Sequence, residues 1–446
     1  MNDFFRGLRS AGMSEAESSA KAELLAELSE KLQDLRGGAP QNRQALFVPG
    51  RLEFIGKHTD YAGGRSLVCA IEYGICAVAA PRSDAQIRII DLRQRSEASF
   101  FLRETIEREL SDWTKYAVTV ARRMARDFPT ARFGADIVFA SDLPAAAGMS
   151  SSSALIISIF FALAAANATE ETASYRQNIQ KREDLAGYLA AMESGSDFAA
   201  FSSCDGVGTF GGSEDHVAIL CSRAGFLREY SYCPVRLEKE IPALGGHSFV
   251  IGVSGVRAEK TGDVCASYNL ISLAVKKILE LWLQATGRKD ASLAAALNSS
   301  PEAPAQIRRI LHDFTGGELS ARFLLGRLAQ FEEESELVTA MARALECGDQ
   351  RALGPVAERS QFLAEKFLGN QTPETIELAS SARALGAIAA SAFGAGFGGS
   401  VWALVPSYGA EKFREEWAAR YHQGFPARAP ASKFLITGAG PGLIRF

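Results

Sequence analysis

Helix-like and strand-like segments mix along both halves of this 446-residue chain without settling into regular strand–helix–strand alternation. That mixing constrains the fold most, because a doubly wound parallel sheet needs the alternation and an all-α or all-β chain lacks the mixture. The expected class is α+β. A single core rarely grows past about 250–300 residues, so two domains are expected. The charged, proline-bearing segment 234–246 (PVRLEKEIPALGG) is the expected junction, dividing the chain into 1–236 and 237–446.

In residues 14–36, Leu24, Leu25, Leu28, Leu32 and Leu35 fall at three- and four-residue spacing, which predicts an amphipathic helix ending at Gly37-Gly38. A short strand is predicted at 45–48, broken by Pro49-Gly50, with further strands over 67–80, 86–103 and 135–140. Helices are expected at about 111–127, capped by Ser111 or Asp112, and at 154–166 and 181–201. His216–Cys221 and 248–253 read as strands, 262–390 as mostly helical, and 401–405 as a strand.

The net charge of -4 gives no basic face for nucleic acid. Seven cysteines without a CxxC pair, and five scattered histidines without HExxH, argue for a reducing compartment and against a zinc site. No run reaches the ~18 apolar residues of a membrane span, and residues 1–17 lack a signal-peptide core. A soluble, cytoplasmic protein without nucleic-acid or membrane partners, monomeric or weakly dimeric, is expected.

Three segments carry chemistry. The first runs from Pro49 through Arg51, Lys57, His58, Asp60 and Tyr61 to Gly63-Gly64, and can supply donors and acceptors converging on a polyol. A solvated polar loop is the competing explanation. The second, Leu143 to Ala154, places Gly148 and the serines Ser150, Ser151, Ser152 and Ser153 before an apolar helix, whose N-terminus suits phosphate. Four serines exceed what capping needs. The third, Gly394-Ala395-Gly396-Phe397-Gly398-Gly399-Ser400, matches GxGxxG but precedes a strand, so a dinucleotide-binding turn is excluded.

In this order the three segments resemble the signature motifs of the GHMP kinases, and GRLEFIGKHTDYAGG is similar to the galactokinase pattern GRxNxIGEHxDYxGG. The resemblance implies a two-domain kinase with its active site between the domains, using ATP and Mg2+ to phosphorylate a sugar hydroxyl. Galactose 1-phosphate is the expected product. It implies that Gly148, Ser150–Ser153 and Gly396 hold the nucleotide, with Trp113 near its base. Ser151 or Ser152, with Glu193, would hold magnesium.

Asp205, twelve positions after Glu193 as in the family, is the implied catalytic carboxylate with Arg51 beside it, and Asp197 and Asp215 are its competitors. His58, Asp60 and Tyr268 are implied sugar contacts. Lys57 stands where galactokinases carry Glu, which reverses a charge. Either Lys57 points elsewhere, toward Glu53, or the substrate is another sugar or an acid such as galacturonate. A galactose and ATP sensor without turnover is the remaining alternative. Ala146 replaces a family glycine in the phosphate loop.

Overall fold

The structure, a computed structural model, describes residues 2–40, 42–106, 113–258, 262–317 and 319–446. Helices α1 (Asn2–Ser10) and α2 (Glu15–Arg36) precede strands β1 (Gln44–Ile55), β2 (Arg65–Pro81), β3 (Gln86–Asp91) and β4 (Ser96–Phe101). Next come α3 (Thr114–Asp127), β5 (Ala135–Ser141), α4 (Ser151–Ala166), α5 (Ala173–Asn178), α6 (Arg182–Ser194) and α7 (Glu214–Cys221). A hairpin, β6 (Phe226–Ser231) and β7 (Arg236–Pro242), leads to β8 (His247–Val253). Helices α8 (Gly262–Thr286), α9 (Leu293–Leu297), α10 (Ala303–His312), α11 (Ala321–Glu346), α12 (Gln350–Leu363) and α13 (Pro373–Ala384) follow. The chain closes with β9 (Ala389–Phe393), β10 (Ser400–Pro406), α14 (Ala410–Gly424), β11 (Lys433–Thr437) and β12 (Ile444–Arg445).

The strands form two sheets. The first runs β12-β1-β2-β5-β3-β4, with β6 beside β2 and β7 beside β6, and the second runs β11-β8-β10-β9. Among the described pairs β3–β5 is parallel and the others are antiparallel, so the α+β class holds. β7 lies inside the expected junction, and a cut at 236/237 would separate it from its partner β6. The chain changes sheet between Pro242 and His247.

Two local expectations need correction. Pro49-Gly50 does not end β1, which continues to Ile55 with a register irregularity between Pro49 and Arg51. A bulge is where a strand tolerates proline. His216–Cys221 is helical, within α7, whose first turn carries Glu214 and Asp215, where carboxylates suit the helix dipole. The expected cap, Ser111 or Asp112, lies outside the described residues.

Helix α4 is buried at every position from Ser153 to Ala164 and packs on β1, β2, α3 and α6. A helix apolar all round belongs at the centre of a core. A second cluster joins Leu52, Phe54 and Leu67 of the first sheet to Phe249 and Trp402 of the second and to Val338 and Met341 of α11. Phe54 stacks on Trp402 at this seam, centroids 4.4 Å apart.

Candidate active site

A cleft opens beside the seam. β1 carries Arg51 and Glu53 into it, since alternate strand residues share a face. From α7, Asp215 Oδ1 accepts a hydrogen bond from Arg51 Nε at 2.8 Å, and Glu214 Oε1 lies 3.9 Å from the same nitrogen. Arg51 also donates to the Gly148 carbonyl. Burial alone would lower the guanidinium pKa, but the charges of Asp215, Glu214 and Glu53 outweigh it and the net direction is upward. Arg51 is a permanent cation between the phosphate loop and Asp215.

The opposite wall is the loop after β1. His58 Nδ1 is 3.0 Å from the Tyr61 hydroxyl, and its Nε2 is 3.1 Å from Asn370 Nδ2. Asp60 Oδ2 accepts from the Glu214 amide at 3.1 Å. Residue 212 must be glycine, because a Cβ there would lie 2.3 Å from Asp60 Oδ2. Tyr268 reaches the same wall from α8, and burial raises its hydroxyl well above the ordinary value, so it remains a neutral phenol.

This loop is held from behind by α11. Arg327, Gln330 and Glu334, at three- and four-residue spacing, share one helix face. Arg327 donates to the His58 carbonyl, and Gln330 Nε2 to the Lys57 carbonyl at 3.1 Å. Glu334 Oε1 accepts from the amides of Gly56 and Lys57 at 3.0 and 3.1 Å. The sequence reading missed these three residues. Their three- and four-residue spacing was masked by the other charged residues of α11, among them Glu332, Glu333 and Glu336.

At the other end of the cleft, Glu193 accepts from Ser153 Oγ at 2.8 Å and Ser152 Oγ at 3.3 Å, with His216 Nε2 at 3.3 Å. The Ser150 hydroxyl is buried without a partner at the N-terminus of α4. Ser151 begins that helix. Ser400 Oγ donates to the Ala147 carbonyl at 2.7 Å and ties the glycine loop to the serine loop. Gly396 takes φ +80°, and a Cβ there would come within 2.5 Å of Asn370. Glu193 and its serines are hard oxygen donors. They fit Mg2+, which takes one or two carboxylates and leaves its remaining positions to phosphate and water.

Three family sequence models match the chain: the galactokinase galactose-binding signature at 35–81, the GHMP kinase N-terminal domain at 115–204 and the GHMP kinase C-terminal domain at 340–423. The chain belongs to the GHMP kinases, in the galactokinase subfamily. A galactokinase of Chloroflexus aggregans is 27% identical over 416 residues, covering 91% of this chain and 94% of the relative. One of Actinobacillus pleuropneumoniae is 39% identical over 118 residues, 26% of this chain and 30% of its own. Lactococcus lactis galactokinase, solved with galactose, superposes with a TM-score of 0.76 at 21% identity, covering 94% of this chain and 99% of its own, which establishes the shared fold.

Of the expected site residues of this GHMP kinase, Arg51, His58, Asp60, Ser153, Glu193 and Tyr268 line the cleft, and the others do not. Asp205 is exposed and lines no part of it. The carboxylate on Arg51 is Asp215, twenty-two positions after Glu193. The pairing of Arg51 with Asp205 is therefore corrected. Lys57 also turns away. Its ammonium group is buried and donates to Ser360 Oγ at 2.7 Å and Ser391 Oγ at 2.9 Å, not to Glu53 and not to the cleft. Trp113 packs edge-on against Phe139, centroids 5.8 Å apart, at the rim of the main core. Among the described residues no helix is long and apolar enough to cross a membrane.

Proposed function

We propose that this chain transfers the γ-phosphoryl group of ATP to a hydroxyl of a neutral sugar, galactose being the substrate that its family favours. Asp215 on Arg51, in one cleft with His58, Asp60 and Tyr268, is the observation that carries this reading. Phosphoryl transfer asks the protein chiefly for positioning and charge compensation. The free amides of α4 and the Ser150 hydroxyl bind the nucleotide phosphates, with Gly394–Gly399 packed over them.

Glu193 with Ser152 or Ser153 would hold a magnesium ion, which would supply neutralisation of the phosphate charge. Asp215 orients the attacking hydroxyl and accepts its proton. Arg51 pairs with that carboxylate and spans the gap to the Gly148 carbonyl of the serine loop. His58, Asp60 and Tyr268 fix the sugar so that one hydroxyl faces the phosphate. Lys57, turned from the cleft, gives no support to an acidic substrate.

A coupled ADP-release assay over a sugar panel tests this reading. Galactose is expected to support turnover and galacturonate is not. Binding of Mg-ATP and galactose with no ADP release from any sugar would replace the kinase with a sensor.

A further inference from the structure

One buried side chain touches both the turn after β1 and the glycine loop. Asn370 is 1% exposed and lies between α12 and α13. Its Nδ2 is 3.1 Å from His58 Nε2 and donates to the Ala395 carbonyl at 3.2 Å. Its backbone carbonyl accepts from the Phe397 amide at 2.5 Å. The chemistry of these partners fixes the protons. A carbonyl only accepts, so the Asn370 atom facing Ala395 is the amide nitrogen. Gln371 Nε2 donates to Asn370 Oδ1 at 2.9 Å and holds that orientation. An amide nitrogen only donates, so His58 Nε2 is the acceptor and the imidazole proton sits on Nδ1. Nδ1 then donates to the Tyr61 hydroxyl 3.0 Å away. His58 Nε2 is itself 3.3 Å from the Ala395 carbonyl, and two acceptors that close repel unless a donor bridges them. Asn370 is that donor. The two hydrogens of one amide group are divided between the sugar turn and the glycine loop.

We propose that Asn370 is a positioning residue that couples the two ligands of this kinase: a nucleotide that settles the glycine loop settles the Asn370 amide and with it His58, so each ligand raises the affinity for the other. The inference rests on the kinase reading above and adds the coupling between its sugar and its nucleotide. The two ends of the bridge face different ligands. The His58 ring packs on Tyr268 in the sugar wall, centroids 5.7 Å apart, while the glycine loop is tied to the serine loop through Ser400. Phe397 holds φ +59°, a conformation that disfavours a bulky residue, and the bond from its amide to Asn370 helps to keep it there. Linkage is reciprocal, so the factor by which nucleotide tightens sugar binding is the factor by which sugar tightens nucleotide binding.

Calorimetry on the full chain tests the coupling. Galactose is titrated into wild type, Asn370→Asp and Asn370→Ala, each with and without Mg2+ and the β,γ-imido analogue of ATP. In wild type the analogue is expected to lower the galactose Kd by at least roughly 5-fold. In both variants that factor falls to within about 2-fold, because aspartate keeps the shape but turns the bridging donor into an acceptor, and alanine removes it. A merely structural Asn370 would weaken both ligands and leave the factor unchanged, and that result overturns the proposal. So does a wild type in which the analogue leaves the galactose Kd unmoved or raises it. A measurement on the wild-type protein guards against misfolding of the variants. Nitrogen NMR of the five histidines, with the His58 signal assigned by its loss in His58→Gln, should show the proton on Nδ1. A proton on Nε2 overturns the proposal. A wild type that binds galactose neither alone nor with the analogue removes the sugar-kinase reading itself.

Discussion

Asp215→Asn and Asp205→Asn, made separately, set the geometry of the cleft against the family's spacing. Asparagine keeps the shape of aspartate but cannot take a proton. At a group that accepts the proton of the attacking hydroxyl, this costs roughly 10²–10⁴-fold in kcat, or about 3–5 kcal/mol of barrier. Folding suffers less. Arg51 keeps Glu214 at 3.9 Å and the Gly148 carbonyl, so its charge is not abandoned and the loss of stability is about 1–3 kcal/mol. Asp205 is exposed, so its replacement is expected to change stability by less than about 0.5 kcal/mol and leave turnover intact. Coupled ADP release gives kcat and KM, urea unfolding gives stability, and equilibrium sugar binding separates chemistry from recognition. The reasoning fails if Asp215→Asn keeps more than about a third of wild-type kcat, or if Asp205→Asn loses as much as Asp215→Asn.

Burial pushes the Glu53 carboxyl from its ordinary 4.5 up to about 7, so ionising it costs stability as pH rises through that window. Glu53→Gln should therefore differ little from wild type below pH 4.5 and be more stable by about 3 kcal/mol above pH 7, and urea unfolding showing the reverse trend would exclude this origin. Ala146 sits at φ +50° in the serine loop, so Ala146→Gly should stabilise the protein by about 0.5–1 kcal/mol, and a lower unfolding midpoint would contradict it. Glu193→Gln should raise the Mg2+ concentration for half-maximal activity by roughly 10–100-fold with KM for the sugar unchanged; a change in sugar KM alone would move Glu193 out of the metal site. Lys57→Met removes the hydrogen bonds to Ser360 and Ser391 and the cation whose charge acts on Glu53, and should cost about 1–3 kcal/mol, yet leave the preference for neutral over acidic sugars intact in a two-sugar competition.

The three glycine- and serine-rich segments were legible because their chemistry is local, a few residues whose backbone and side chains act together. Asp215 was not, and the reason lies in the segment before it. After α6 the chain folds back on the helix end, with Cys204 N bonded to Gly195 O at 3.1 Å and Val207 N to Glu193 O at 2.8 Å. Gly195 and Gly206 press together closely enough that a Cβ on Gly206 would lie 2.4 Å from Gly195 N. This return consumes the spacing that pointed to Asp205 and leaves that residue on the outside. The chain enters the cleft at Thr209 and Gly211 and lies on Asp60 at Gly212. The apolar run Val217–Cys221 misled for a different reason, since a short apolar stretch fits a buried strand or a buried helix equally well. The fate of Lys57 was invisible because Ser360 and Ser391 lie more than three hundred residues away in sequence.

The bracing of residues 56–58 by Glu334, Gln330 and Arg327 also orders events during synthesis. A nascent chain can complete β1 and its turn early, but the groups that fix the turn's amides and carbonyls emerge some 270 residues later. The sugar-binding turn therefore waits for α11 to dock, although His58 and Asp60 are among the first residues of the cleft translated.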